Sequence, residues 1–123
     1  MDVEGNEEYK MVLCVNTSLK MGKGKIASQC GHAAIDAYDM ARIKTPVSVK
    51  QWKNYGAKKI ACKVQNTDEM IDIYTKAIRA GMVAQLVQDQ GRTQIAPGSY
   101  TVLGIGPAPC SEFKDITDHL SLL

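Results

Sequence analysis

The sequence holds no C-x-x-C pair; its four cysteines, Cys14, Cys30, Cys62 and Cys110, are scattered along the chain. That spacing argues against a disulfide framework and against a zinc site, and favours free, buried thiols in a reducing compartment. Long apolar runs are also missing: none approaches the roughly 20 residues a membrane helix needs. The acidic start lacks the basic and apolar regions of a secretory signal, so the expectation is a cytoplasmic protein without a membrane segment. A third absence is local. Between Met40 and Thr67 there is no acidic residue, while Arg42, Lys44, Lys50, Lys53, Lys58, Lys59 and Lys63 occur there.

What is present fits an ordinary folded chain. Its 123 residues are 45% hydrophobic and 23% charged, which suits one domain with a continuous core. The net charge of +2 conceals a strong asymmetry. Residues 1–8 hold four acids and no base; residues 9–67 sum to +9; residues 68–123 sum to −3. A basic half of this kind is either a solvated lysine surface or a patch that attracts a polyanion such as RNA.

Residues 1–8 read as a flexible acidic tail, and residues 9–123 as the folded domain. Tyr9–Val15 (YKMVLCV) is almost continuously apolar and suits a central strand covered on both faces. A helix follows from Lys23 or Gly24 to Ile43, with Ile26, Cys30, Ala33, Ala37 and Met40 or Ala41 on its apolar face. Thr45-Pro46 and Gly56 bracket a second helix with Val49, Trp52 and Tyr55 on one side. Lys58–Val64 reads as a strand, and Thr67 as the cap of a third helix ended by Gly81. Val83–Val87 and Tyr100–Ile105 read as strands. Pro107 and Pro109 break the chain, and Ser111 caps a final helix, with Leu120–Leu123 packing back. The order βααβαββα predicts an α/β fold: a four-stranded mixed β-sheet with helices on both faces.

Two stretches carry chemistry. Met21–Ala34 (MGKGKIASQCGHAA) loosely fits a dinucleotide fingerprint at Gly22, Gly24 and Ala27, but residues intervene after the strand, and the second strand ends on Gln65 and Asn66 rather than an acid. Neither Gly-Lys pair is followed by Ser or Thr, so it is not a phosphate-binding loop of the Walker type. What survives is a helix start whose free N–H groups, with Lys23 and Lys25, suit a phosphate or a developing oxyanion. The plain alternative is a glycine-containing helix start with solvated lysines. Lys25, Gln29, His32 and Asp36 form a polar row at helical spacing. Cys30 and His32 are two residues apart and point to nearly opposite sides, which excludes a nucleophile–base dyad. The second stretch, Gln88–Gly98 (QDQGRTQIAPG), places Asp89, Arg92, Thr93 and Gln94 after a strand, where α/β folds favour ligand sites. A simple turn with a capping threonine explains it equally well.

The segments KMVLCVNTSLKMGKGKIASQCGHAA, QDQGRTQIAPGSYTVLGIGPAP and DHLSLL together resemble the type 2 peptidyl-tRNA hydrolase family of archaea and eukaryotes. The resemblance runs from Tyr9 to Leu123. It implies a single three-layer α/β/α domain and an esterase that frees tRNA from prematurely released peptidyl-tRNA, with no metal and no organic cofactor. It puts the family's proposed catalytic lysine, aspartate and threonine on Lys23, Asp89 and Thr93, with Asp89 either orienting Lys23 or acting as general base. It puts substrate-binding positions on Lys25, Gln29, His32, Arg92 and Gln94. The chain departs from the family at Asn16 and Ser18, where Arg and Asp are common, and at Gln90, where Ala is common. Those departures keep a rival in view: a tRNA-binding or protein-interaction module on the same fold without hydrolysis. Oligomeric state, a homodimer included, stays open.

Overall fold

The structure is a computed structural model describing residues 7–89 and 98–123. Its elements are β1 (Tyr9–Asn16), α1 (Lys23–Lys44), α2 (Pro46–Asn54), β2 (Lys59–Val64), α3 (Thr67–Arg79), β3 (Ala84–Gln88) and β4 (Tyr100–Pro109). The strands form one mixed sheet in the order β2-β1-β4-β3, with β1 and β2 parallel and both β1–β4 and β3–β4 antiparallel. The apolar β1 run is therefore internal. Its side chains alternate, as a pleated strand requires. Met11, Leu13 and Val15 join a cluster with Ala33 and Ala37 of α1 and Trp52 of α2, whereas Val12 and Cys14 join one with Met70, Ile73 and Ala77 of α3.

Helix α1 approaches the sheet through small residues. Ala33, Ala37 and Ala41 are fully buried, and Gly104 of β4 faces the Ala33 carbonyl. A Cβ at position 104 would lie 2.8 Å from that oxygen, so glycine there permits the close approach. Glycine also serves the turn after α2, where Gly56 has φ +100, and the stop after α3, where Gly81 has φ +78.

Several local expectations are corrected. The cap of α3 is Asn66, whose side chain accepts from Glu69 N (2.8 Å); the Thr67 hydroxyl instead accepts from Asn16 Nδ2 (3.1 Å). Thr45 does precede α2, but its hydroxyl donates back to the Ala41 carbonyl (3.3 Å) because it also closes α1. Tyr55 lies past the end of α2 and is 61% exposed, leaving Val49 and Trp52 as the buried pair. Pro107 does not end β4, which continues through a cis Gly106–Pro107 bond and stops at Pro109. There β4 pairs with β1 alone (Lys10 with Ala108, Tyr9 with Pro109), and a residue without an N–H is tolerated on a side with no neighbouring strand. The final helix is absent: Cys110–Phe113 form one 3-10 turn, and the Ser111 hydroxyl donates to Glu7 (2.6 Å) rather than capping. That bond, with Cys110 N donating to Glu8 O (2.9 Å), also ties down the end of the expected tail. Leu120–Leu123 does return to the body, where Leu123 N donates to Ala61 O (3.0 Å) and Lys63 N to Ser121 O (2.8 Å), alongside the edge of β2. Among the described residues no helix is long and apolar enough to cross a membrane.

Candidate active site

Helix α1 begins without a side-chain cap. Gly22 occupies the N-cap with extended backbone, and the first turn contains no acidic residue. No side chain among the described residues caps its leading N–H groups, and Lys23 adds positive charge at that end of the helix dipole. Lys23 is the first helical residue, exposed, with no hydrogen bond or ion pair among the described residues. Lys25 is different. Its ammonium forms an ion pair with Asp89, and the two side chains are 13% and 3% exposed. The lysine that pairs with Asp89 among the described residues is thus Lys25. At about 100° per residue, two positions carry a side chain to the other side of the helix, so the two lysines cannot share one orientation.

Asp89 lies directly after β3. Its backbone is held on both sides, with its N donating to Ser99 O (2.8 Å) and its carbonyl accepting from Gly98 N (3.1 Å). A buried carboxylate is costly unless a cation and hydrogen bonds offset its desolvation; Lys25 supplies the cation. One helical turn further on, Gln29 is 5% exposed and donates to the Thr101 hydroxyl (2.8 Å). That hydroxyl donates in turn to the Val87 carbonyl (3.3 Å), so α1, β4 and β3 are pinned together beside Asp89.

The polar row read from helical spacing stays together. Lys25, Gln29, His32 and Asp36 line one cavity of about 710 Å³, which β3, Asp89 and Tyr100 also line. Cys30 packs instead with the apolar cluster under α1, where burial raises its thiol pKa; this agrees with excluding it as a nucleophile. Arg92, Thr93 and Gln94 lie outside the described residues, as does Gln90.

Two residues at the site, Thr101 and Tyr74, had not been singled out, and Asn16 had been noted only as a departure from the family. Thr101 gave no signal, being one β-branched residue in a strand. Tyr74 reads as part of an apolar helix face. Asn16 is fully buried and serves as a junction. Its amide donates to Thr67 Oγ1 and to the Tyr100 carbonyl (3.1 Å each), and its oxygen accepts from Ser18 N (3.2 Å) and Ser18 Oγ (2.7 Å). The Asn16–Ser18 departure is therefore an internally satisfied neutral set that fastens the end of β1 to α3 and β4.

Residues 9–123 match the family model described as Peptidyl-tRNA hydrolase PTH2. The chain belongs to that family. It is 49% identical to the mouse protein named peptidyl-tRNA hydrolase 2, mitochondrial, over 94% of this chain and 64% of the relative. The human protein of the same name is 48% identical over the same shares. A Methanocaldococcus jannaschii protein named peptidyl-tRNA hydrolase is 43% identical over 93% of this chain and 99% of its own length. The chain thus spans just under two thirds of the mammalian relatives and nearly all of the archaeal one.

Proposed function

We propose that the protein hydrolyses the ester joining a peptide's C-terminal carboxyl to the 3′ ribose of tRNA. The observation that carries this reading is the buried Lys25–Asp89 pair at the wall of a cavity, beside an uncapped and doubly lysine-flanked helix start. The family membership and the relatives' names support it. Water attacks the ester carbonyl while giving one proton to the general base, forming a C–O bond and a tetrahedral oxyanion. Collapse breaks the bond to the ribose oxygen, which takes up a proton, and the peptide leaves as a carboxylate.

Lys23, which has no partner among the described residues, and the first-turn amides of α1 are suited to the oxyanion, where charge develops in the transition state. Asp89 holds Lys25 and serves either as its orienter or as general base toward the water. Thr93 positions the water or the carbonyl, and Arg92 and Gln94 contact the substrate. His32 and Gln29 form polar contacts along the cavity. This chemistry uses amino-acid side chains and requires no metal or organic cofactor.

The substrate's phosphates meet the basic half of the chain. The four thiols are free, which suits a reducing compartment, and we place the protein in the cytoplasm. Fractionation of cells carrying a tagged full-length protein tests that address, since the mouse and human relatives are named mitochondrial.

The deciding assay measures release of free tRNA from N-acetyl-aminoacyl-tRNA. Wild type should hydrolyse it, and Lys23→Ala and Asp89→Asn should each lower kcat by about 100-fold or more. Lys25→Ala should lower kcat as well, by leaving Asp89 without its cation. Unchanged kcat in Lys23→Ala and Asp89→Asn would overturn these roles. tRNA binding by wild type without hydrolysis would establish the non-catalytic module instead.

A further inference from the structure

Strand β3 is an outer strand, and no strand among the described residues pairs with its other side. In an antiparallel pair, residues alternate between those bonded to the neighbour and those whose N–H and C=O point away. Gly106 N donates to Val83 O (2.9 Å), and Asp89 bonds Ser99 and Gly98 on the β4 side. The register between these points is Ala84–Ile105, Gln85–Gly104, Leu86–Leu103 and Val87–Val102. Counting from either end, the backbone groups of Ala84, Leu86 and Gln88 face outward. They have no backbone partner among the described residues.

Exposed strand edges invite unwanted pairing and are usually blunted by charge, proline or a covering element. Here the edge forms the floor of a slot. The cavity of about 710 Å³ touches every residue from Ala84 to Asp89, with α1 on one wall and Tyr74 of α3 on the other. Because α1 and α3 pack in separate clusters on alternate faces of β1, a space that touches both must lie beside the edge of the sheet. A second cavity of about 320 Å³ shares Tyr74, Ala84 and Gln85 and extends the slot toward Val83. One end thus opens at Lys25 and Asp89, and the other runs out past the start of β3.

We propose that the peptide part of the substrate adds to β3 as a fifth strand. This rests on the ester-hydrolase reading, which puts the peptide's C-terminal carbonyl beside Asp89. The earlier residues then run back toward Val83, so the peptide lies parallel to β3. Five residues of β3 span about 16 Å, enough for about five peptide residues. Main-chain hydrogen bonds supply the affinity in such strand addition, and only alternate side chains meet a wall. An enzyme that must accept peptides of any sequence needs recognition of this kind.

The test uses the wild-type protein and changes the substrate. N-acetylated tRNA esters carrying one, three, five and seven residues should show KM falling about fivefold per added backbone hydrogen bond, then levelling beyond five residues, with kcat little changed. N-methylation of successive residues in the five-residue substrate should raise KM at every second position only, because only alternate N–H groups of an added strand face β3. A KM independent of length, or N-methyl effects without alternation, overturns the proposal while leaving the hydrolase reading intact. No hydrolysis of any ester overturns the activity. Strand addition is then decided by amide hydrogen exchange with a non-hydrolysable pentapeptidyl 3′-amino-3′-deoxyadenosine. Exchange at Leu86 should be fast in the free protein and slow about tenfold or more on binding; no change overturns the proposal. Protection of Leu86 that instead grows with protein concentration, without the analogue, assigns the edge to a second copy of this chain and also overturns it.

Discussion

Asn16 shows how a single side chain can hold a site without touching substrate. Removing its amide leaves the Thr67 hydroxyl and the Tyr100 carbonyl short of a donor, and unsatisfied buried groups cost about 1–3 kcal/mol each. Asn16→Ala should therefore lose about 2–3 kcal/mol in urea unfolding. Asn16→Asp should be worse at neutral pH, because it sets a carboxylate against a carbonyl, and should recover partly in acid as the carboxyl regains a proton to donate. Cys14 makes a different prediction. Burial first, then the nearby Cys62 and Glu69, pushes its thiol far above the ordinary 9.0. In the unfolded chain that thiol ionises near its ordinary value, while in the folded chain it stays protonated. The contribution to stability is constant below about pH 8 and shrinks as pH rises through 9 and beyond. Urea midpoints measured from pH 7 to 10.5 should fall along that limb, and Cys14→Ala should flatten the fall. The polar row was readable, since Lys25, Gln29, His32 and Asp36 keep helical spacing, and the four line one cavity. Which lysine meets Asp89 was not, because 64 residues separate the pair and tertiary packing sets the rotation of α1.

At the level of elements, the close contact of α1 with β4 fixes that rotation. Gly104→Ala would drive a Cβ into the Ala33 carbonyl, a backbone atom that cannot swing aside. Overpacking of this kind costs about 1–3 kcal/mol. The shift of α1 should also loosen the Lys25–Asp89 pair, so kcat should fall along with stability. Gly31 lies in the same helix, exposed, with nothing within 4 Å of an added Cβ. Gly31→Ala should raise stability by about 0.5–1 kcal/mol, because alanine replaces glycine in a helix interior. Thermal unfolding of the two variants should move in opposite directions. Strand β1 was legible as an unbroken apolar run, and helices α1 to α3 because their apolar residues recur at helical spacing between recognisable starts and stops. The last segment misled because Ser111 after a proline looks like a cap, yet its hydroxyl is used by Glu7. β4 outran its expected end because a proline forbids a strand only where an N–H is needed.

Across the whole molecule the basic half is laid out over α1, α2 and β2. Lys59 sits over the Trp52 ring (5.2 Å), and Lys53 and Arg42 over Tyr38 (5.4 and 5.8 Å). Aromatic faces thus steady part of a positive surface, while Lys50, Lys53 and Lys59 remain exposed. If that surface holds tRNA phosphates, Lys50→Ala, Lys53→Ala and Lys59→Ala should weaken binding and flatten the dependence of log K on log salt by about 0.7–0.9 per lysine lost. Unchanged slopes would move the footprint elsewhere. The charge run was visible in the sequence; its rings were not, since Tyr38 and Trp52 come near only when α2 folds against α1. The closing residues have a consequence of another kind. By pairing with Ala61 and Lys63 they occupy the side of β2 that faces away from β1, so among the described residues the sheet is stoppered at one end and open at the other. A sheet with two open ends can be copied indefinitely into a fibre. One with a single open end can join at most one other copy of itself, and growth stops there.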